Sequence, residues 1–305
     1  MNELKARIRN AMTGPLCSIP TPFRPDEEID FDALAKMIDF QIENHFGIIF
    51  LTPGNSHYNV LTDDEMTQLG RFCVEYTRHR VPVCITEFGF TTKRALAMAR
   101  FAKEIGADLF LPCAANWGDS VTSETLADFY VACGEIMPLM LIDPSISTPE
   151  KCIGVIENVM RRLPDRVLAI KDDNCGPVAR RMTMKFADET AIFAGGTKEN
   201  FLNILPYGAV GFLSTFGMFR PDITWNFYEA CKKLDMNTMR NVIRDYEMPY
   251  FDYISSLPGN FDAGIKGTME LFGFGTRLRR LPYRSLTDAE MDELKQKLID
   301  LKILH

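Results

Sequence analysis

Eight short apolar runs, recurring along most of the chain, constrain this sequence more than any other feature. They are Leu16 to Ile19, Gly47 to Thr52, Val81 to Glu87, Ala107 to Cys113, Leu139 to Asp143, Val167 to Lys171, Thr190 to Gly195 and Gly208 to Ser214. Their unbroken Val, Ile, Leu and Phe character suits strands covered on both faces, as in a parallel sheet, and not the alternation of a half-exposed meander. Between them the spacing turns helical. Leu34, Ile38 and Ile42 form one stripe, and Cys152, Ile153, Ile156, Val159, Met160 and Leu163 form another behind Ser147-Thr148-Pro149-Glu150. Thr62-Asp63-Asp64-Glu65 and Thr287-Asp288-Ala289-Glu290 are capping boxes. Eight strand–helix units at intervals of about 20 to 35 residues predict an α/β (β/α)8 barrel. A doubly wound open sheet also fits the alternation but gives no reason to stop at eight. After Ser214 the pattern is helical, so the expected division is a barrel over residues 1–225 and a C-terminal all-helical extension over 226–305.

Composition narrows the function. Lys and Arg number 34 against 41 Asp and Glu, a net charge of −7, which leaves no basic field for nucleic acid. No apolar stretch reaches the roughly 18 residues that cross a bilayer, and the charged start does not read as a signal peptide, so a cytoplasmic protein with no membrane partner is expected. The eight cysteines are too far apart for CxxC chemistry and sit mostly in apolar segments such as Val83-Cys84-Ile85, as free thiols in a reducing compartment do. The four histidines include no pair at i, i+4, so neither a metal nor another cofactor is called for.

Barrel active sites lie at the C-terminal ends of the strands. Those ends read Thr52, Glu87, Cys113, Asp143, Lys171, Gly195 and Ser214. Lys171 stands out: with Val167 and Ala169 on its face, it should point into the barrel mouth, where partial desolvation would let it attack a carbonyl. It reads also as a rim lysine paired with Asp172, Asp173 or another carboxylate, and position alone does not decide between the two.

Ala169-Ile170-Lys171-Asp172 at strand six, Ser18-Ile19-Pro20-Thr21-Pro22-Phe23 at strand one, Leu51-Thr52-Pro53-Gly54-Asn55-Ser56 after strand two and Asp143-Pro144-Ser145 after strand five form an ordered series. So do Gly208-Ala209-Val210-Gly211-Phe212-Leu213-Ser214 at strand eight, the tail Lys266-Gly267-Thr268-Met269-Glu270-Leu271-Phe272-Gly273, and Arg280-Leu281-Pro282. Over nearly the whole chain this series resembles the dihydrodipicolinate synthase/N-acetylneuraminate lyase family. The resemblance implies that Lys171 forms a Schiff base with pyruvate or another 2-oxo acid, that a strand-two loop holds its carboxylate, and that the chain assembles as a homo-oligomer, a dimer or homotetramer. The substrate-binding candidates are then Thr52, Gly54, Ser56, Gly195, Thr197 and Ser214.

The departures from that pattern are chemical. Pro53 replaces a threonine of the family's Gly-Thr-Thr-Gly-Glu-Ser loop and offers neither N–H nor hydroxyl. The two tyrosines that shuttle protons in the family fall at Leu141 and near Ala114, which carry none. Asp143 is the first candidate to replace them, with an alternative role as a turn cap before Pro144; His57 and Tyr58 come next, each also readable as a packed rim residue. An arginine that holds aspartate semialdehyde falls at Ile146, against lysine biosynthesis; an acidic residue that reads sugar hydroxyls falls near Thr197. Lys198 reads either as an anion contact or as an exposed lysine at a helix start, and Asn116 and Trp117 as contacts for an apolar aldehyde or as a subunit anchor.

Three functions follow: an aldolase-type lyase joining or splitting a 2-oxo acid and an aldehyde, with Lys171, Asp143 and His57 as its catalytic set; a dehydratase of a deoxy 2-oxo sugar acid working through the same imine; or a non-catalytic member that binds a small metabolite.

Overall fold

The computed structural model describes residues 3–87, 91–115, 120–142 and 149–305. Asp143, Ile146, Asn116 and Trp117 lie outside them. Eight parallel strands form one sheet in the order β1-β8-β7-β6-β5-β4-β3-β2. They are β1 (Gly14–Leu16), β2 (Ile49–Phe50), β3 (Val83–Thr86), β4 (Leu109–Leu111), β5 (Leu139–Ile142), β6 (Val167–Asp172), β7 (Ala191–Ala194) and β8 (Gly211–Leu213). The ring closes just past β1, where Ser18 bridges Phe50 in parallel and the Ile19 amide donates to the Phe50 carbonyl at 3.2 Å. The sequence expectation of a (β/α)8 barrel therefore holds, with all eight strands falling within or beside the apolar runs.

Helix α1 (Glu3–Ala11) precedes β1, and α2 (Phe31–Glu43), α3 (Asp63–Thr77), α4 (Thr92–Glu104), α5 (Ser123–Gly134), α6 (Pro149–Arg162), α7 (Gly176–Phe186) and α8 (Lys198–Ile204) follow β1 to β7 in turn. The anticipated box at Thr62 and Glu65 opens α3 with both reciprocal hydrogen bonds in place. After β8 come α9 (Pro221–Lys233), α10 (Met236–Val242), α11 (Met248–Ser256), α12 (Asn260–Leu271) and α13 (Asp288–Asp300), the last opened by the Thr287–Glu290 box.

Two apolar layers divide the core. Leu16, Phe50, Cys84, Leu109, Leu111, Met140, Leu168, Ala169 and Phe193 fill the barrel together with Ile8 and Met12, so α1 and the residues after it plug one end. Arg9 ties that plug down through the carbonyls of Ala187 and Thr190, at 2.8 and 3.1 Å. The second layer, between strands and helices, contains Val167 and Ile170. Here the sequence reading needs correction, because Val167 does not share the face of Ala169 and Lys171. Pairing runs Leu139 to Val167 and then Met140 to Ala169, leaving Leu168 as an extra residue. That bulge turns Val167 outward while Leu168 and Ala169 stay inside.

Between α10 and α11 the chain makes a π-turn over Ile243–Glu247. Pro249 explains it: a proline in the first turn of α11 has no amide for the carbonyl four residues back, and the helix widens there. The widened turn carries Glu247 to a buried position.

Candidate active site

A cavity of about 450 Å³ opens at the C-terminal ends of the strands. Its barrel side is Thr52, Pro53, Gly54 and Asn55 after β2, Ile142 at the end of β5, Lys171 and Asp173 at β6, Gly196 and Thr197 after β7, and Leu213 and Thr215 at β8; the other side is Phe251 and Ser255 of α11 with Phe261 and Ile265 of α12.

Lys171 is paired in register with Ile142 on β5 and Phe193 on β7. Its side chain is 11% exposed, and the ammonium donates to both oxygens of Asp173, 2.6 Å from Oδ1. Two residues apart, these side chains share the inward face, while Asp172 between them is fully buried and its Oδ1 accepts the Asn174 amide at 3.2 Å. Gly195, one of the expected site residues, takes part through what it lacks. A Cβ there would stand 1.8 Å from the Asp173 Oδ1 and 3.0 Å from the Lys171 Nζ, so only glycine leaves space for this pair.

The strand-two loop divides its residues between cavity and scaffold. Thr52 and Gly54 face the cavity. Ser56 does not: its buried hydroxyl donates to the Ile19 carbonyl at 2.6 Å and accepts the Thr52 amide at 3.0 Å, and its own carbonyl accepts from the Thr21 hydroxyl at 2.5 Å. Ser56 thus ties the loop to the first strand.

On the opposite rim Thr197 lines the cavity, whereas Ser214 is buried and not part of the lining. Ser214 meets the Thr224 hydroxyl at 2.9 Å and accepts from Lys198 at 3.3 Å. Both sequence readings of Lys198 give way here, for this lysine is fully buried, 2.9 Å from Glu247, with the rings of Phe216 and Phe227 at 4.9 and 5.9 Å. The other carboxylate oxygen of Glu247 takes the Lys198 amide at 2.9 Å.

His57 is 3% exposed, and its Nε2 lies 3.0 Å from the Asp262 carboxylate at the start of α12, which also pairs with Arg279. It is not among the cavity-lining residues. Nearby, Lys266 donates to the Thr21 carbonyl at 2.8 Å, and burial pushes its ammonium down to about 8. Tyr58 is buried, and desolvation holds its phenol well above the usual range. The Cys113 thiol at the end of β4 is likewise pushed up to about 12 by burial, so it stays protonated and inert at neutral pH. Leu141 is buried and apolar, as its place in a strand demands. Among the described residues no three His, Cys, Asp or Glu side chains gather as a metal site.

Sequence reasoning weighed Asp173 only as a bland rim partner, and it missed the wall of α11 and α12 altogether. The first had a signal in the Asp172-Asp173 pair after the lysine; the second had none, since the helical periodicity of those segments does not say which end of the barrel they cover.

The sequence profile of the dihydrodipicolinate synthetase family matches residues 11–301. The chain belongs to that family. Members of the family are lyases and aldolases that act on small molecules. The 4-hydroxy-tetrahydrodipicolinate synthase of Caldicellulosiruptor bescii is 23% identical over 293 residues, covering 95% of this chain and 97% of that protein. A Bradyrhizobium protein named a probable 5-dehydro-4-deoxyglucarate dehydratase is 27% identical over 300 residues, 96% of this chain and 92% of its own. Among solved structures, YagE of Escherichia coli K12, a prophage protein of the same family in complex with pyruvate, superposes with a TM-score of 0.82 at 21% identity, covering 95% of this chain and 98% of that one. No helix among the described residues is long and apolar enough to span a membrane.

Proposed function

We propose that this protein is an aldolase-type lyase that forms an imine between Lys171 and pyruvate or a related 2-oxo acid, and makes or breaks a carbon–carbon bond to an aldehyde. The observation that carries the reading is Lys171 itself, an amine at the end of β6 that faces a cavity beside hydroxyls and a carboxylate. An imine at C2 of a 2-oxo acid withdraws electrons from its neighbour and permits an enamine, through which the bond forms or breaks. The Thr52 hydroxyl, with the amides of Gly54 and Asn55, is the proposed hold on the 2-oxo acid carboxylate; among the described residues these two amides have no internal partner. Thr197 and Ser255 would meet polar groups of the second substrate, and Phe251 and Phe261 its apolar body. The similarity to YagE, whose structure holds pyruvate, supports the donor half.

A second reading, a dehydratase of a deoxy 2-oxo sugar acid working through the same imine, is favoured by the likeness to the Bradyrhizobium protein. Product analysis separates the two. The test of both is borohydride reduction in the presence of pyruvate, followed by intact mass and peptide mapping. A single reduced adduct on Lys171, absent from Lys171→Ala, is expected. No adduct with pyruvate, 2-oxobutyrate or 2-oxoglutarate would leave the non-catalytic metabolite-binding reading.

A further inference from the structure

Imine formation needs a group that moves protons, and the positions that resemblance assigns to tyrosines hold Leu141 and Ala114. Apart from Lys171, Asp173 is the only titratable side chain lining the cavity among the described residues. It is in contact with the reacting nitrogen, 2.6 Å away, and the missing Cβ of Gly195 leaves the space its carboxylate occupies. Its side chain is 39% exposed against 11% for Lys171, so the carboxylate spans the cavity and the solvent. A pair open to water in this way adds little stability, and stability is therefore a poor account of it.

We infer that Asp173 is a catalytic residue of this site, the proton carrier for imine formation and hydrolysis; the inference rests on the imine reading of Lys171. In the resting site the lysine is an ammonium and Asp173 a carboxylate. Asp173 takes one proton, leaving a neutral amine whose lone pair bonds to C2 of the 2-oxo acid. The nitrogen passes a second proton to the former carbonyl oxygen, giving a carbinolamine. Asp173, now the acid, returns its proton to that hydroxyl; the C–O bond breaks, water leaves, and the nitrogen lone pair forms the C=N bond. One ammonium and one carbonyl have become one iminium and one water, and Asp173 ends ionised beside the new cation. Hydrolysis runs the same steps backward. No metal or redox partner enters the sequence of steps.

The rate of borohydride trapping with pyruvate, on the full chain, tests the assignment. General acid–base catalysis is worth roughly a hundredfold or more, so Asp173→Asn should label at least a hundredfold more slowly than the wild type, at the same final site. Asp173→Glu should recover part of that rate, and added formate should accelerate Asp173→Ala, which a merely structural carboxylate would not allow. Thermal melts of the variants report folding separately. If Asp173→Asn proves unstable, Asp173→Ser, which also removes the carboxylate, is expected to label as slowly. Wild-type labelling rates in these variants, or a hundredfold loss in Asp143→Asn alone, overturn the role of Asp173 while leaving the imine intact. A wild-type protein that takes no label with any 2-oxo acid overturns the imine reading itself, and this inference with it.

Discussion

Two lysines flank the mouth of this barrel within thirty residues of sequence, and their surroundings are opposite. Lys198 is sealed: its ammonium has Glu247 and Ser214 as partners, two phenylalanine rings close by, and no exposed surface. Among the described residues Lys171 has one carboxylate partner, itself partly in solvent, and a cavity in front. The difference teaches how to tell a structural cation from a chemical one. A lysine sealed between a buried carboxylate, a hydroxyl and two rings has no space for a carbonyl, whereas one that faces a cavity beside a partly exposed carboxylate has that space and a partner able to take its proton.

The largest effect expected from this contrast is at Lys171. Lys171→Ala should lower borohydride labelling to background while shifting the urea midpoint by no more than about 1 kcal/mol equivalent, since the pair it breaks is partly exposed. A large loss of stability there would erase the distinction. Lys198→Met should do the reverse. Removing one half of a buried pair strands the Glu247 carboxylate and costs about 3–5 kcal/mol in urea unfolding, yet the folded fraction should still label on Lys171.

Lys266 sharpens the comparison as a third case, buried with a hydrogen bond to the Thr21 carbonyl, the Asp262 charge acting on it and the Phe23 ring 5.5 Å away. Its proton leaves the folded chain near 8, against 10.5 for the ordinary group. Between those values the unfolded chain binds more protons, so this group makes stability climb as pH rises from 8 to about 10.5; below 8 the full cost of burying the charge is present. The climb amounts to roughly 2–3 kcal/mol and should be missing from Lys266→Met when urea unfolding is followed between pH 7 and 10. The smallest effect is on the far rim of the cavity. Thr52→Val should raise the pyruvate concentration for half-maximal labelling by about tenfold with little change in the maximal rate, as loss of one binding hydroxyl does.

Much of this contrast was hidden from the sequence. The eight strands were legible because a parallel strand buried on both faces leaves an unbroken apolar run, and Lys171 was legible because a charge ends one of them. The fate of Lys198 was not, since its partner lies 49 residues away on a turn widened by Pro249. Local spacing favours an exposed residue at a helix start and carries no trace of that contact. The same limit governs His57: nothing near it in the chain announces Asp262, 205 residues on. Val167 was misplaced for another reason, because strict alternation along β6 takes no account of an inserted Leu168.

Phe251, Ser255, Phe261 and Ile265 reach the cavity from α11 and α12, which carry neither Lys171 nor the loop of Thr52. On the proposed reading, the reacting amine and part of the substrate contact therefore sit on separate stretches of chain. If Lys171 reacts as proposed, substitutions on those two helices would reshape what the cavity admits without touching it, and a library confined to these four positions would vary selectivity while leaving the reactive centre as it stands.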